Sequence, residues 1–123
     1  MRYSALTLRY FETAPGAGAL DGVGILRGAA GSRAQGTWVR FDLQVSSGTI
    51  QAARFLAFAC PHTIAVAAWI TEQAAGRPLQ MPLPETVEEL SQRFAVPIEK
   101  RGRLLIIEDA WRAAAGAQGG EHH

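Results

Sequence analysis

The stretch Gly48-Thr49-Ile50-Gln51-Ala52-Ala53-Arg54-Phe55-Leu56-Ala57-Phe58-Ala59-Cys60-Pro61-His62-Thr63-Ile64-Ala65 changes period within a few residues, and that change decides the fold. Ile50 to Phe58 is short, strongly apolar and entered through the turn residues Ser46-Ser47-Gly48-Thr49, which reads as a strand returning from a hairpin. Pro61 then marks a helix start, because proline is tolerated in a first turn where its missing N–H has no partner anyway. Beyond it Ile64, Ala65, Ala68, Trp69 and Ala75 recur on one helical stripe up to Gly76.

Working upstream, Trp38 to Val45 alternates, with Val39, Phe41, Leu43 and Val45 on one face and Arg40, Asp42 and Gln44 on the other. This is a half-buried strand, and the more apolar Ile50–Phe58 run is expected to lie more centrally in an antiparallel sheet. Val23, Ile25 and Leu26, set among glycines, suggest one further strand. Tyr3 to Thr13 places Leu6, Tyr10 and Phe11 at helical spacing, with Ser4 as cap and Pro15-Gly16 as terminator.

Downstream, Pro78, Pro82 and Pro84 make a stiff connection to a short helix opened by the capping pair Thr86 and Glu89 and carrying Leu90 and Phe94. Val96-Pro97-Ile98 ends it, and strong helix formers extend a last helix from about Arg103 to Ala117. The expected architecture is α+β: a three-stranded antiparallel sheet packed against a layer of helices, in the order α-β-β-β-α-α-α. One domain is expected over residues 1–118. Residues 119–123, Gly119-Gly120-Glu121-His122-His123, read as a flexible tail and a purification-tag remnant.

Composition narrows the function. A chain of 123 residues with 48% hydrophobic and 19% charged residues is that of one globular domain. Its apolar runs are broken at Pro61, His62, Thr63 and Thr71, well short of the about 18 residues of a membrane span. Twelve Lys and Arg against eleven Asp and Glu leave a net charge of +1, too small for the broad positive field of a nucleic-acid binder. Met1-Arg2-Tyr3-Ser4-Ala5 opens no secretory signal, so a cytoplasmic location is expected. The single cysteine, Cys60, rules out a disulfide framework and any multi-cysteine metal site within one chain.

Cys60 also makes the one chemical suggestion. A thiol at the mouth of a helix meets unpaired N–H groups and the positive end of the dipole, which favour the thiolate as nucleophile or ligand. The competing reading is a small buried hydrophobe beside Phe58-Ala59. His62 suggests a base or second ligand for Cys60, against a helix-start residue with its ring at the surface. The Gly16–Gly36 region holds Gly22-Val23-Gly24 but neither a dinucleotide fingerprint nor a Walker lysine. Arg93, Lys100, Arg101 and Arg103 form a basic cluster, either a solvated face or a docking surface for an acidic partner.

The block from Gly48 through Cys60 to Ile70-Thr71-Glu72 and Gly76 resembles the IscU/NifU N-terminal family of iron–sulfur cluster assembly scaffolds. Tyr3-Ser4, Tyr10-Phe11, Val96-Pro97-Ile98-Glu99-Lys100 and Ile107-Glu108-Asp109-Ala110 follow in the family's order, so the similarity spans Tyr3 to about Ala115. The resemblance implies a cluster held by three cysteines, with an aspartate near the first and a histidine beside the last. Here the first cysteine position carries Gln35 and the aspartate position Thr37, while Gly102 and Arg103 occupy the histidine and third cysteine positions. Only Cys60 remains, and an Arg guanidinium cannot ligate iron.

The resemblance therefore implies a ligand-depleted, accessory or sulfur- or iron-accepting binding protein, not an enzyme, with no cluster held stably by the monomer. Cys60 would accept persulfide sulfur from a cysteine desulfurase, or share a labile iron or cluster with a second copy or another protein. Val96 to Lys100 resembles the family's chaperone-recognition segment but has Ile98-Glu99 for its second Pro and Val, a departure that speaks against chaperone binding. Two alternatives compete: an interaction module that kept only the fold, with Cys60 inert, and a small thiol enzyme using Cys60 and His62.

Overall fold

A computed structural model describes residues 3–80 and 83–120, with 117–120 as backbone alone. Its elements are α1 (Ala5–Thr13), β1 (Ile25–Ser32), β2 (Thr37–Ser46), β3 (Thr49–Phe58), α2 (Pro61–Ala74), α3 (Val87–Arg93), a 3-10 turn at Ile98–Lys100, and α4 (Gly102–Gly120). The α+β class and the order α-β-β-β-α-α-α are those expected from the sequence. Pro82 of the predicted stiff connection, and residues 121–123 of the predicted tail, lie outside the described residues.

Both strand pairings are antiparallel and the sheet order is β1-β2-β3. The central strand is thus β2, not β3 as its apolar composition suggested. Apolar content reports what lies over a strand's two faces, whereas lateral position follows from the two consecutive hairpins that flank β2. The β2–β3 connection is a two-residue turn in which Ser47 (φ 52°) and Gly48 (φ 75°) both take the left-handed conformation, matching the twist of paired strands. At the other side, Val23 falls outside β1 and is fully exposed.

Val39, Phe41 and Leu43 of β2 are buried on the inner face and Val45 partly so, as the alternation predicts, and Phe55 of β3, paired with Phe41, is buried with them. Helix α4 lies over β1 and β2, α2 over β3, and α1 against α2. Close seating of α4 depends on Gly28, where a Cβ would stand 2.0 Å from the Ala114 amide nitrogen. Gly28 faces Ala113 and Ala114, whereas Gly31 faces Ile106, so α4 runs antiparallel to β1. Helix starts follow their caps: Ser4 accepts from the Thr7 N–H, and Thr86 and Glu89 complete the predicted capping box of α3. Helix α2 stops at Ala74, leaving Ala75 exposed at its C-cap rather than on the buried stripe.

Asp42, placed by alternation on the polar face, is 1% exposed. The chain after α1 crosses that face, bridging Ala17 to Phe55 and bringing Leu20 to Asp42, whose Oδ2 accepts the Leu20 N–H at 3.0 Å. Arg27 Nε at 3.2 Å and Arg40 Nε at 3.0 Å neutralise the carboxylate. The Arg40 Nε contact is an ion pair rather than an aligned hydrogen bond, since both atoms lack a regular hydrogen-bond partner.

Candidate functional site

Strand register brings the singled-out positions to one end of the sheet. Trp38 pairs with Phe58, so Thr37 at the start of β2 lies beside the end of β3, just before Cys60. The β1–β2 turn holding Gln35 sits at this end, closed by the Ser32 hydroxyl, which accepts the Gln35 N–H at 3.1 Å. Because α4 runs antiparallel to β1, Gly102 and Arg103 in its first turn return there as well. Within this group Arg103 acts directly on Cys60. Gln35 and Gly102 are exposed, and Thr37 is buried in its pairing with Ser32.

Cys60 is the N-cap of α2, followed by Pro61 in the first turn. Its thiol is half-buried and 3.5 Å from the Thr63 hydroxyl. Burial pushes the Cys60 pKa up, but the Thr63 hydroxyl and N–H and the Arg103 guanidinium outweigh it and leave the thiol below its ordinary value. Sγ makes no cap hydrogen bond of regular geometry, so the pull of the Thr63 amide is that of a nearby oriented dipole. The thiol is partly accessible, and its charged form is favoured relative to that of a free cysteine.

His62 departs from expectation. Its ring is 1% exposed and packs against Tyr3 with ring centroids 4.7 Å apart, rather than lying at the surface. Tyr3, ahead of α1, packs on the ring and covers it at the first turn of α2. Nδ1 has no partner among the described residues. Burial, then the charges of Lys100 and Arg103, depress its pKa and disfavour the charged ring. Thr63 and Tyr3 are therefore parts of the site to which the sequence assigns no role, and Lys100, expected in a docking surface, also acts on His62. Thr63 was legible in the sequence: the third helical position faces the cap side chain.

In the Val96–Lys100 stretch, Val96 is buried while Ile98 is 77% exposed, and Glu99 is exposed on the 3-10 turn leading to α4. Arg93 leaves the predicted basic cluster: it pairs with Glu85 and lies 5.0 Å over the Trp69 ring. Among the described residues no three His, Cys, Asp or Glu side chains gather as a metal site. One thiolate beside a guanidinium, with a glutamine and a threonine elsewhere at that end of the sheet, does not fit an iron–sulfur cluster within one copy. No helix among the described residues is long and apolar enough to cross a membrane.

A family model described as the NifU-like N terminal domain matches residues 2–119. "Iron sulfur cluster assembly protein 1" of Trachipleistophora hominis is 25% identical over 114 residues, covering 91% of this chain and 83% of that protein. Among solved structures, the N-terminal part of a nitrogen-fixing NifU-like protein from Brucella abortus superimposes with a TM-score of 0.70 at 15% identity, over 98% of this chain and 95% of that one. A protein assigned as an iron–sulfur cluster assembly scaffold for the SUF system, from Fervidobacterium islandicum AW-1, gives 0.67 at 15% identity, over 94% and 95%.

Proposed function

The chain belongs to the family of NifU-like N-terminal domains, and from that membership we propose that it serves iron–sulfur cluster assembly as a ligand-depleted scaffold that accepts sulfur on Cys60. The observation that carries this is the electrostatic surrounding of one thiol. At the scaffold's ligand end stands a half-buried cysteine whose thiolate is favoured by Thr63 and Arg103, with no group of three metal-ligating side chains gathered there among the described residues. Such a site selects an anionic sulfur nucleophile over a metal cation.

The step is a thiol–persulfide exchange with a cysteine desulfurase as donor. The Cys60 thiolate attacks the outer sulfur of the donor persulfide, a new S–S bond forms on Cys60, and the donor's S–S bond breaks to release its cysteine as thiolate. No net oxidation occurs, and the terminal sulfur keeps its proton or passes it to solvent. Arg103 favours the attacking thiolate and then the anionic persulfide. The protein is here a carrier rather than an enzyme, and cluster iron is cargo for other proteins of the assembly.

Incubation with a cysteine desulfurase and free cysteine, followed by mass spectrometry of the intact chain, tests the reading. An added sulfur atom on the native protein, lost in Cys60→Ser, is expected. Sulfur absent from Cys60 would overturn it, as would a cluster on the anaerobically reconstituted monomer that survives gel filtration.

A further inference from the structure

Thr63 is buried in the first turn of α2, where a threonine hydroxyl has no carbonyl of its own helix to bond. Farther along the same helix Thr71 donates to the Ala67 carbonyl four residues back at 2.8 Å. Four residues before Thr63 lies Ala59, outside the helix, which starts at Pro61. The Thr63 side chain is 1% exposed, and its hydroxyl has one side-chain partner among the described residues, the Cys60 thiol at 3.5 Å. A buried hydroxyl is thus committed to a single sulfur atom.

Arg103 bears on the same sulfur from the first turn of α4. It is paired with no carboxylate among the described residues, so its charge is available at the thiol. Gly102 beside it leaves open space, with nothing within 4 Å of where a Cβ would stand. Because Thr63 is buried, its contact takes the inner side of Sγ, and the exposed side of the half-buried thiol is left to an incoming reagent. One nucleophile, one oriented hydroxyl and one uncommitted guanidinium, with room for a small molecule only, suit a reaction in which negative charge leaves sulfur for an oxygen atom.

We propose that Cys60, Thr63 and Arg103 form a peroxide-reactive site, at which hydrogen peroxide oxidises Cys60 to a sulfenic acid. The Cys60 thiolate attacks one oxygen of the peroxide in line with the O–O bond. An S–O bond forms, the O–O bond breaks with its electron pair on the departing oxygen, and the hydroxide released takes a proton from solvent to become water. Sulfur gives up two electrons and the peroxide gains them. Arg103 meets the charge as it moves to the departing oxygen, while Thr63 holds the sulfur through the displacement. Cys60 is the only cysteine of the sequence, so recovery uses an external low-molecular-weight thiol. One molecule displaces water from the sulfenic acid to form a mixed disulfide, and a second releases Cys60 as thiolate and leaves as the disulfide of the small thiol. This activity goes beyond sulfur acceptance and does not depend on it.

The full chain, freshly reduced, is mixed with hydrogen peroxide at about pH 7, and the sulfenic acid is trapped with a 1,3-dione and followed by intact mass. A free cysteine is about 3% thiolate there, so complete ionisation alone accounts for a gain of about thirtyfold over it; a rate above that bound is expected. Thr63→Val, which keeps the shape and removes the hydroxyl, should slow the reaction by about tenfold or more, and Thr63→Ser should restore it. Iodoacetamide alkylation of the same proteins reads only thiolate fraction and access. The loss with peroxide should therefore exceed the loss with iodoacetamide in Thr63→Val, and likewise in Arg103→Gln. A rate within the ionisation bound overturns the proposal, as does an equal loss in both reactions in the two variants, or a dione adduct that persists in Cys60→Ser. Failure of Cys60 to take sulfur from a desulfurase would leave these rates unchanged, so the two proposals fail separately.

Discussion

Arg103, in the first turn of α4, faces the Cys60 thiol at the N-cap of α2, and its guanidinium is among the groups that draw the thiol's pKa down. Replacing it by Leu should raise the Cys60 pKa, read as a shift of the alkylation-rate profile of native protein to higher pH. The sign for stability follows from the same shift. A thiol whose folded pKa lies below its unfolded value of about 8.5 stabilises the fold fully above that value, and the contribution is lost as pH falls through the folded pKa. Arg103→Leu should shrink this gain at alkaline pH; an unchanged alkylation profile would show that the guanidinium does not act on the thiol.

His62 titrates in the same sense on the acid side. Burial first, then Lys100 and Arg103, depress its folded pKa, so the unfolded chain takes up the proton first as pH falls below about 6.5. Its stabilising contribution is present above that pH and lost on descent toward the folded pKa. Denaturant midpoints should therefore drop between pH 7.5 and 5.5, and His62→Phe should flatten the drop. A midpoint that falls equally in that variant assigns the acid sensitivity elsewhere.

How far the sequence carried the reading depended on what each signal measures. The hairpin, the Pro61 helix start and the Thr86–Glu89 capping box are local chemistry, and each element formed where the turn and cap residues placed it. The positions of Asp42 and His62 were misread because burial depends on what else arrives: the strap carrying Leu20 covers one, and Tyr3 covers the other. Within the site, the convergence of Cys60 with Arg103 needed the family resemblance, since they stand 43 positions apart in the chain and no periodicity links the two helix starts. Thr63 was legible from cap geometry alone, whereas the proximity of Lys100 to His62 arises only from packing.

Asp42 is a buried acid held by two arginines and one backbone N–H. Asp42→Ala leaves Arg40, itself partly buried, without a counter-charge and frees the strap at Leu20. Breaking a buried ion pair from one side costs about 3–5 kcal/mol, tempered here by the partial exposure of Arg27. Urea denaturation should show a loss of at least about 2 kcal/mol, more than for Asp21→Ala, whose exposed carboxylate makes only a 3.6 Å contact to Arg27.

Gly28 has no room for a methyl group, because the obstruction is the α4 backbone at Ala113 and Ala114 rather than a side chain able to rotate. Gly28→Ala must push α4 from the sheet, and a loss at the upper end of the overpacking range, about 3 kcal/mol, is expected. Gly116→Ala, where added carbon meets open space, should be neutral or slightly stabilising in a helix. Equal denaturation midpoints for the two variants would contradict the close seating.

Restoring thiols at the substituted positions reads out whether the ligand geometry persists beneath them. Gln35 lies in the turn after β1, Cys60 before α2, and Arg103 in the first turn of α4, all at one end of the sheet. If those three positions converge on one point, Gln35→Cys with Arg103→Cys assembles three thiolates, a soft donor set suited to tetrahedral zinc or to iron. The double variant should bind one zinc ion per chain, measured by chelator competition, and gain thermal stability with metal, since binding to the folded state adds directly to it. Neither single variant should do so, because two thiols beside a remaining Arg103 or Gln35 leave the coordination shell open. Arg103→Cys also removes the guanidinium that favours the Cys60 thiolate, so metal must compete with protons for a thiol of higher pKa, and zinc affinity should rise steeply from pH 6.5 to 8. A folded double variant that binds no metal across that range would show that the Gln35 turn stands too far from Cys60 and Arg103 to close a site.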